Sequence, residues 1–275
     1  MEKMSFGDVL REIRKQRSLS QKMLSQGICS QSVLSRIENN EELPNVLVMQ
    51  QLCDRLNVMM DQVMTCHRYE AQKNQEIMDQ IESHFFHEEY QELEELLNHS
   101  DVLQQLYLDT DLQLYYYYEG SCRFYLHQDY KGALFSLKQG LSYTLQVDKV
   151  YNSATEIQLI SCIGCVYSTL GVKEKAQEYL EKSMTLYREL PLKRRTDRLI
   201  KIFFNYGRFL FDQEEYQASS AVVDEGIKAA HDKKSYYYLA ELFFLKGELL
   251  LKTKKAQEAE TYFSYSRKIR EMHKI

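Results

Sequence analysis

Gln31, Ser32, Ser35 and Arg36 share one side of a short stretch whose other positions, Val33, Leu34 and Ile37, are apolar. These polar types can reach base edges and phosphates: glutamine bonds adenine and arginine bonds guanine through two hydrogen bonds each. Ser20 and Ser30 stand where their side-chain oxygens can cap two successive short helices. Other chemistry finds less support. Cys162 and Cys165 have the spacing of a redox or zinc pair but lie inside a helical pattern, with no second pair at ligand spacing. Of the seven histidines only His84 and His87 are close, and they carry no metal or base signature. Phosphate-cradling glycine loops and Ser/His/Asp sets are not evident, and Glu88-Glu89 and Glu94-Glu95 read as solvated helix faces. Neither an enzyme, a metal site nor a cofactor is expected.

The elements that must position these residues are helices. Phe6, Val9, Leu10 and Ile13 recur at helical spacing in a first helix ending near Arg17. A second opens at Gln21 and a third at Gln31, with Gly27 at the sharp turn between them, a geometry glycine reaches without steric penalty. Met23, Leu24, Ile28, Val33, Leu34 and Ile37 are the expected contacts of this pair. Leu43-Pro44-Asn45 interrupts the chain ahead of a fourth helix, Val46–Leu56, and a short fifth is expected around Met60–Cys66.

Over residues 5–66 this unit resembles the Xre/lambda-repressor-like DNA-binding domain. The matching positions are Gln21, Ser30-Gln31-Ser32, Arg36-Ile37-Glu38 and Pro44. The resemblance implies base contacts from Gln31, Ser32 and Arg36, phosphate contacts from Gln21 and Lys22 at a helix start, and a structural role for Glu38. The implied DNA-binding set is Gln21, Lys22, Ser30, Gln31, Ser32, Ser35 and Arg36.

Charge narrows how such a module works. The chain is acidic overall, net −5, which excludes a general polyanion binder. From Met4 to Arg36 six basic residues face two acidic ones, a local +4, yet residues 1–66 carry eight of each and balance at zero. One face alone is set to grip phosphates, so a single copy should bind weakly and a dimer on a two-part operator is the usual remedy.

The remaining 200 or so residues are long enough for a second domain. Two prolines, ten glycines and no strand-like alternation predict an almost wholly helical chain. Met1-Glu2-Lys3 runs straight into the first helix without a signal peptide, and no apolar run approaches the ~20 residues of a membrane span. A cytoplasmic protein with reduced cysteines is expected.

Internal repetition gives the second domain its form. Gly164…Tyr167…Gly171…Ala176…Leu180…Ser183 describes a pair of antiparallel helices that approach closely where side chains are small, as in tetratricopeptide repeats. Copies run from Tyr206-Gly207, from Lys246-Gly247 and from Ser121…Phe124, with a degenerate one from Ile81. Equivalent second-helix positions 93, 133, 176, 219 and 259 are separated by 40, 43, 43 and 40 residues, longer than the usual 34 or so. Stacked pairs build a curved solenoid whose first helices line the concave side, a common peptide-binding surface. The repeat register places Tyr115, Tyr118 and Cys122 there, then Gln158, Ser161 and Cys165, then Lys201, Phe204, Asn205 and Arg208, and last Glu241, Phe244 and Glu248. Asn205 and Gln158 can bond a peptide backbone, and Lys201 or Arg208 a carboxylate. The tyrosine runs Tyr115–Tyr118 and Tyr236–Tyr238 cannot all face one way on a helix, so part of each is inter-helix packing.

An Xre-type domain followed by about five long repeats resembles the peptide-pheromone-responsive regulators of Gram-positive bacteria, the group of Rap, Rgg, NprR, PlcR and PrgX. The length and the run Gly27–Asn39 look most like the PlcR branch. Membership implies an all-α chain: a five-helix DNA-binding domain (1–66), a linker helix (67–80) and a tetratricopeptide-like right-handed superhelical solenoid (81–275). It also implies a homodimer on a palindromic double-stranded operator and a short signalling peptide in the groove, hence quorum sensing. The polar segment Tyr69–Met78, free of glycine and proline, suits the linker helix. Two other readings stay open: an adaptor whose repeats hold a protein partner at DNA, and a phage-type repressor without a small ligand.

Overall fold

A computed structural model describes residues 6–63, 65–98, 102–106, 109–144 and 151–272; the side chains of residues 61, 62, 65–75, 104 and 105 also lie outside the described set. The start at Met1-Glu2-Lys3, Cys66 and most of the side chains of the polar segment 69–78 therefore fall outside it. Every regular element among the described residues is helical. The chain divides into two compact units, Met1–Glu82 and Ser83–Ile275.

The first unit holds α1 (Phe6–Gln16), α2 (Gln21–Ser25), α3 (Gln31–Glu38), α4 (Val46–Leu56), α5 (Met60–Val63) and most of α6 (Thr65–Phe86). Three helix starts are capped as their sequences dictate. Met23 N–H donates to Ser20 Oγ at 3.1 Å, Val33 N–H to Ser30 Oγ at 3.3 Å and Val48 N–H to Asn45 Oδ1 at 2.9 Å. Gly27 turns between α2 and α3 at φ 75° with open space around it. Phe6, Leu10, Leu24, Leu34, Ile37, Leu52, Cys53, Leu56 and Val63 form the core, with Ile28 and Val33 packed at its edge. Met23 departs from expectation: it is 55% exposed, because Leu24 takes the inward face of so short a helix.

The second unit opens with the end of α6, α7 (Tyr90–Asn98) and α8 (Val102–Gln105). Four helix pairs follow: α9 (Asp109–Tyr125) with α10 (Tyr130–Tyr143), α11 (Ala154–Thr169) with α12 (Lys173–Glu189), α13 (Ile200–Asp212) with α14 (Tyr216–Lys233), and α15 (Leu239–Lys252) with α16 (Ala256–Met272). Each pair packs internally, and the first helices of successive pairs touch one another, which is the contact pattern of a solenoid. Close packing within each pair has one repeated cause. A methyl added at Gly120, Gly164, Gly207 or Gly247 would lie 2.7, 2.7, 2.9 or 2.5 Å from Leu137, Leu180, Val223 or Phe263. Across from them Ala133, Ala176, Ser219 and Ala259 are fully buried. The glycine of the first of these pairs is Gly120, one residue before the Ser121 expected from the sequence.

The turns repeat as well. Glu88, Gln128, Gly171, Glu214 and Lys254 all adopt left-handed backbone, φ between 54° and 74°, at spacings of 40, 43, 43 and 40 residues. In four of the five turns the next N–H reaches back to a carbonyl five residues earlier (Glu89 to His84, Val172 to Tyr167, Glu215 to Leu210, Lys255 to Leu250), the hydrogen bond that closes a helix C-terminus. The degenerate copy near residue 88 shares this turn with the full repeats.

Candidate DNA-reading face and ligand groove

On the third helix Gln31, Ser32 and Arg36 are exposed, Ser30 is exposed at its cap and Ser35 is half-buried. Ser30 Oγ and Ser32 Oγ lie 2.9 Å apart, and Arg36 Nε donates to Glu42 Oε2 at 2.7 Å. Beneath this face lies a buried polar network. Arg14 donates through Nε and Nη2 to the two oxygens of Glu38 at 2.6 and 2.8 Å, and through Nη1 to the Leu19 carbonyl at 2.8 Å. Gln21 Nε2 completes it by donating to Glu38 Oε2 at 2.9 Å. Burial opposes the charge on Glu38, but the bonds from Arg14 and Gln21 outweigh it and hold its carboxyl below the ordinary range. The network orients Gln21 at the start of α2 and leaves its second amide N–H available. Lys22, next to it, is exposed.

In the repeat unit the expected groove residues separate into three groups. Tyr115, Tyr118 and Cys122 are buried at 8%, 2% and 1% exposure against neighbouring segments of the unit. Tyr115 Oη donates to the Leu97 carbonyl, Cys122 Sγ to the Tyr90 carbonyl, and the Tyr118 ring lies 5.0 Å from Phe85. This corrects their placement on an open groove. Moving the repeat register from Ser121 to Gly120 brings Tyr117 and Ser121 forward instead, and these are likewise buried, at 2% and 4% exposure. A second group is bonded internally: Gln158 donates to the Arg198 carbonyl, Asn205 to Ser161 Oγ at 3.0 Å, Arg208 pairs with Glu248 at 2.8 Å, and Glu241 pairs with Arg270 at 3.4 Å. Phe204 is half-buried beside Tyr238, Phe244 is 43% exposed, and Cys165 is half-buried.

Lys201 stands alone. It is 2% exposed, and its Nζ has no hydrogen-bond partner and no ion-pair partner among the described residues. Three rings surround it, those of Phe85, Tyr125 and Tyr238, with centroids 5.1, 5.3 and 5.4 Å from Nζ. Burial pushes the hydroxyls of Tyr117 and Tyr238 well up, that of Tyr237 to about 12, and the thiols of Cys162 and Cys165 up as well, against the pull of Lys201. All five are therefore neutral at pH 7, and none offers the ammonium a negative charge. High-lying thiols also make Cys162 and Cys165 poor nucleophiles. No group of acidic, histidine and cysteine side chains that could hold a metal occurs among the described residues.

Two spaces flank this centre. A cavity of about 400 Å³, in the range of small-ligand sites, is walled by Phe85, Tyr90, Tyr237 and Tyr238 with Glu88, Glu241 and Arg270 at its margin. Phe86 stacks on Tyr237 across it, ring centroids 5.5 Å apart and 19° from parallel. A far smaller space lies between Tyr125, Cys162, Cys165 and Asn205.

Residues 148–269 match the sequence profile of the RNPP family C-terminal domain, and residues 10–62 match a helix-turn-helix profile. The chain therefore carries an RNPP family C-terminal domain behind a helix-turn-helix. Its fold is shared by PlcR of Bacillus thuringiensis in the apo form, with TM-score 0.66 and 20% identity over 97% of this chain and 96% of PlcR. PlcR in complex with the peptide PapR7 and DNA aligns with TM-score 0.63 and 22% identity over 98% and 96%. ComR from S. thermophilus, in complex with DNA and its signalling peptide ComS, aligns with TM-score 0.57 and 14% identity over 98% and 94%. No curated protein matches by sequence.

In the repeat unit the cavity walls are the residues least legible in the sequence. Phe85 and Tyr90 are about 150 residues from Tyr237 and Tyr238, and no local pattern joins them. The tyrosine run 236–238 was the one available signal: within it Tyr237 is buried and stacked, while Tyr238 turns left-handed at φ 55° to start α15.

Proposed function

We propose that this protein is a DNA-binding transcriptional regulator whose repeat domain binds a short signalling peptide, and that the peptide alters DNA binding by a homodimer. The observation that carries this reading is the pairing of a capped third helix with exposed Gln31, Ser32 and Arg36 and an RNPP-family repeat domain enclosing an aromatic cavity. PlcR and ComR have each been seen with DNA and a peptide together. Residues 1–66 would read a two-part operator through Gln21, Lys22, Ser30, Gln31, Ser32, Ser35 and Arg36, residues 67–80 would form the linker, and residues 81–275 would take the peptide. The balanced charge of residues 1–66 supports action in pairs. A cytoplasmic, non-enzymatic role fits a protein that meets both DNA and an imported peptide; no helix among the described residues is long and apolar enough to cross a membrane.

For the peptide to switch anything, it must bind one geometry of the solenoid or dimer better than the other; tight but equal binding shifts nothing. The test is selection of binding sites from random duplex DNA with the full chain, followed by mass spectrometry of small peptides that co-purify. A recovered two-part motif and a retained short peptide support the reading. A protein that selects no motif overturns the DNA role, and one that selects a motif but retains only protein partners favours the adaptor.

A further inference from the structure

Lys201 is the one buried cation in the repeat unit whose ammonium has no bonded partner among the described residues. Taking an ammonium out of water without a counter-charge is unfavourable, and three aromatic faces offset only part of that penalty. The surrounding phenols and thiols are held neutral by burial, so no charge comes from them. Two of the three rings that flank Nζ, Phe85 and Tyr238, are also walls of the 400 Å³ cavity. Lys201 and the cavity thus share these two rings. Tyr238 stands out in that wall by its backbone. It occupies left-handed backbone at φ 55°, ψ 10°, a conformation a bulky residue adopts at some strain, and such strain concentrates where a structure must respond to a ligand.

Building on the peptide reading, we infer that Lys201 is the anchor for a carboxylate of the bound peptide, reached when the Tyr238 ring swings aside. The ligand class is thereby narrowed to short peptides presenting an anionic group, either the free C-terminus or an Asp or Glu side chain, to an aromatic-walled cavity. Uncharged and C-terminally amidated peptides without acidic residues gain nothing from Lys201 and should bind more weakly, because the ammonium stays as unpaired as it is without them. The desolvated site makes the pairing strong: the charge-assisted bond forms where water cannot compete.

The experiment is affinity capture by the full-length protein from three synthetic heptapeptide pools of randomised sequence. One pool has free C-termini and no Asp or Glu, one has amidated C-termini with Asp and Glu, and one has neither carboxylate. Retained peptides are counted by mass spectrometry on wild-type protein and on Lys201→Met, whose fold is checked by circular dichroism. The inference expects at least tenfold greater retention from one carboxylate-bearing pool than from the pool with none, and the pool that wins identifies the carboxylate's source. It further expects this preference to vanish in Lys201→Met. The three-pool comparison on wild-type protein stands alone should the variant fail to fold. Equal retention from all three pools overturns the anchor while leaving peptide binding intact. An undiminished preference in folded Lys201→Met overturns it also. Retention from none of the pools overturns both the anchor and the peptide reading on which it rests.

Discussion

Arg36 has two competing partners. In the unbound protein it pairs with Glu42 at 2.7 Å, but both side chains are about half exposed, at 51% and 40%. Such an exposed pair contributes at most about 1 kcal/mol, whereas a two-bond contact to a base discriminates by about 1–3 kcal/mol, so DNA can capture the guanidinium. Arg36→Ala is expected to weaken operator binding by about 5- to 150-fold with an unchanged helical spectrum. Gel-shift titration at fixed salt checks it, and undiminished affinity would contradict the placement of α3. Glu38 has the opposite character. Its side chain is fully enclosed against Arg14, so Glu38→Gln strands a buried guanidinium and should destabilise the first unit by about 3 kcal/mol, readable as an earlier urea transition. Because the folded carboxyl is held below its ordinary value, its stabilising contribution is complete above about pH 4.3 and disappears as pH falls through the lowered value. Acid unfolding followed at several pH values should show that loss in the wild type and not in the variant. The caps at Ser20 and Ser30 were legible because a cap reaches only three residues ahead, whereas the fourth helix left Asn45 and Pro44 both open until the structure showed Asn45 capping Val48. The Arg14–Glu38–Gln21 network was only partly so: family likeness marked Glu38 as structural, but its partners lie 24 and 17 residues away in sequence.

At the scale of elements, the repeat unit is governed by what its glycines touch and what its turns require. Gly164→Ala adds a methyl 2.7 Å from Leu180 and should destabilise by about 1–3 kcal/mol, despite the better helix propensity of alanine. Glu214→Gly acts in reverse. At φ 63° the glutamate holds a left-handed turn that glycine adopts freely, so the variant should gain about 1 kcal/mol. Thermal melts of the two variants should therefore move in opposite directions, and a melt that rises for Gly164→Ala would contradict the packing account. Repeat number and spacing were readable because the same small residues and turns recur every 40 or 43 positions. The register of α9 is ambiguous in the sequence because Gly120 and Ser121 are both small, and a one-residue step rotates a helix by about 100°. Tyr115, Tyr118 and Cys122 pack against the preceding segment, and Tyr117 beside them is equally buried.

At the scale of the whole molecule, the proposed function requires two weak readers of balanced charge to act together and a ligand to bias how they do so. Dimerisation should therefore be measurable by sedimentation at the concentrations that saturate a two-part operator, and a half-operator should bind far more weakly than the intact one at equal salt. Equal affinity for both would contradict pairing as the basis of recognition. The residues that wall the cavity come from opposite ends of the repeat unit, which is why the site emerges only once the helices are stacked. The central claim is a coupling free energy between cavity and operator, and coupling is reciprocal. The most direct measurement is operator affinity, by fluorescence anisotropy at constant salt, with and without a saturating peptide recovered from the protein. The account predicts that the peptide changes operator affinity by at least about fivefold, and that operator DNA changes peptide affinity by the same factor. A peptide that occupies the cavity and leaves operator affinity unchanged would contradict it.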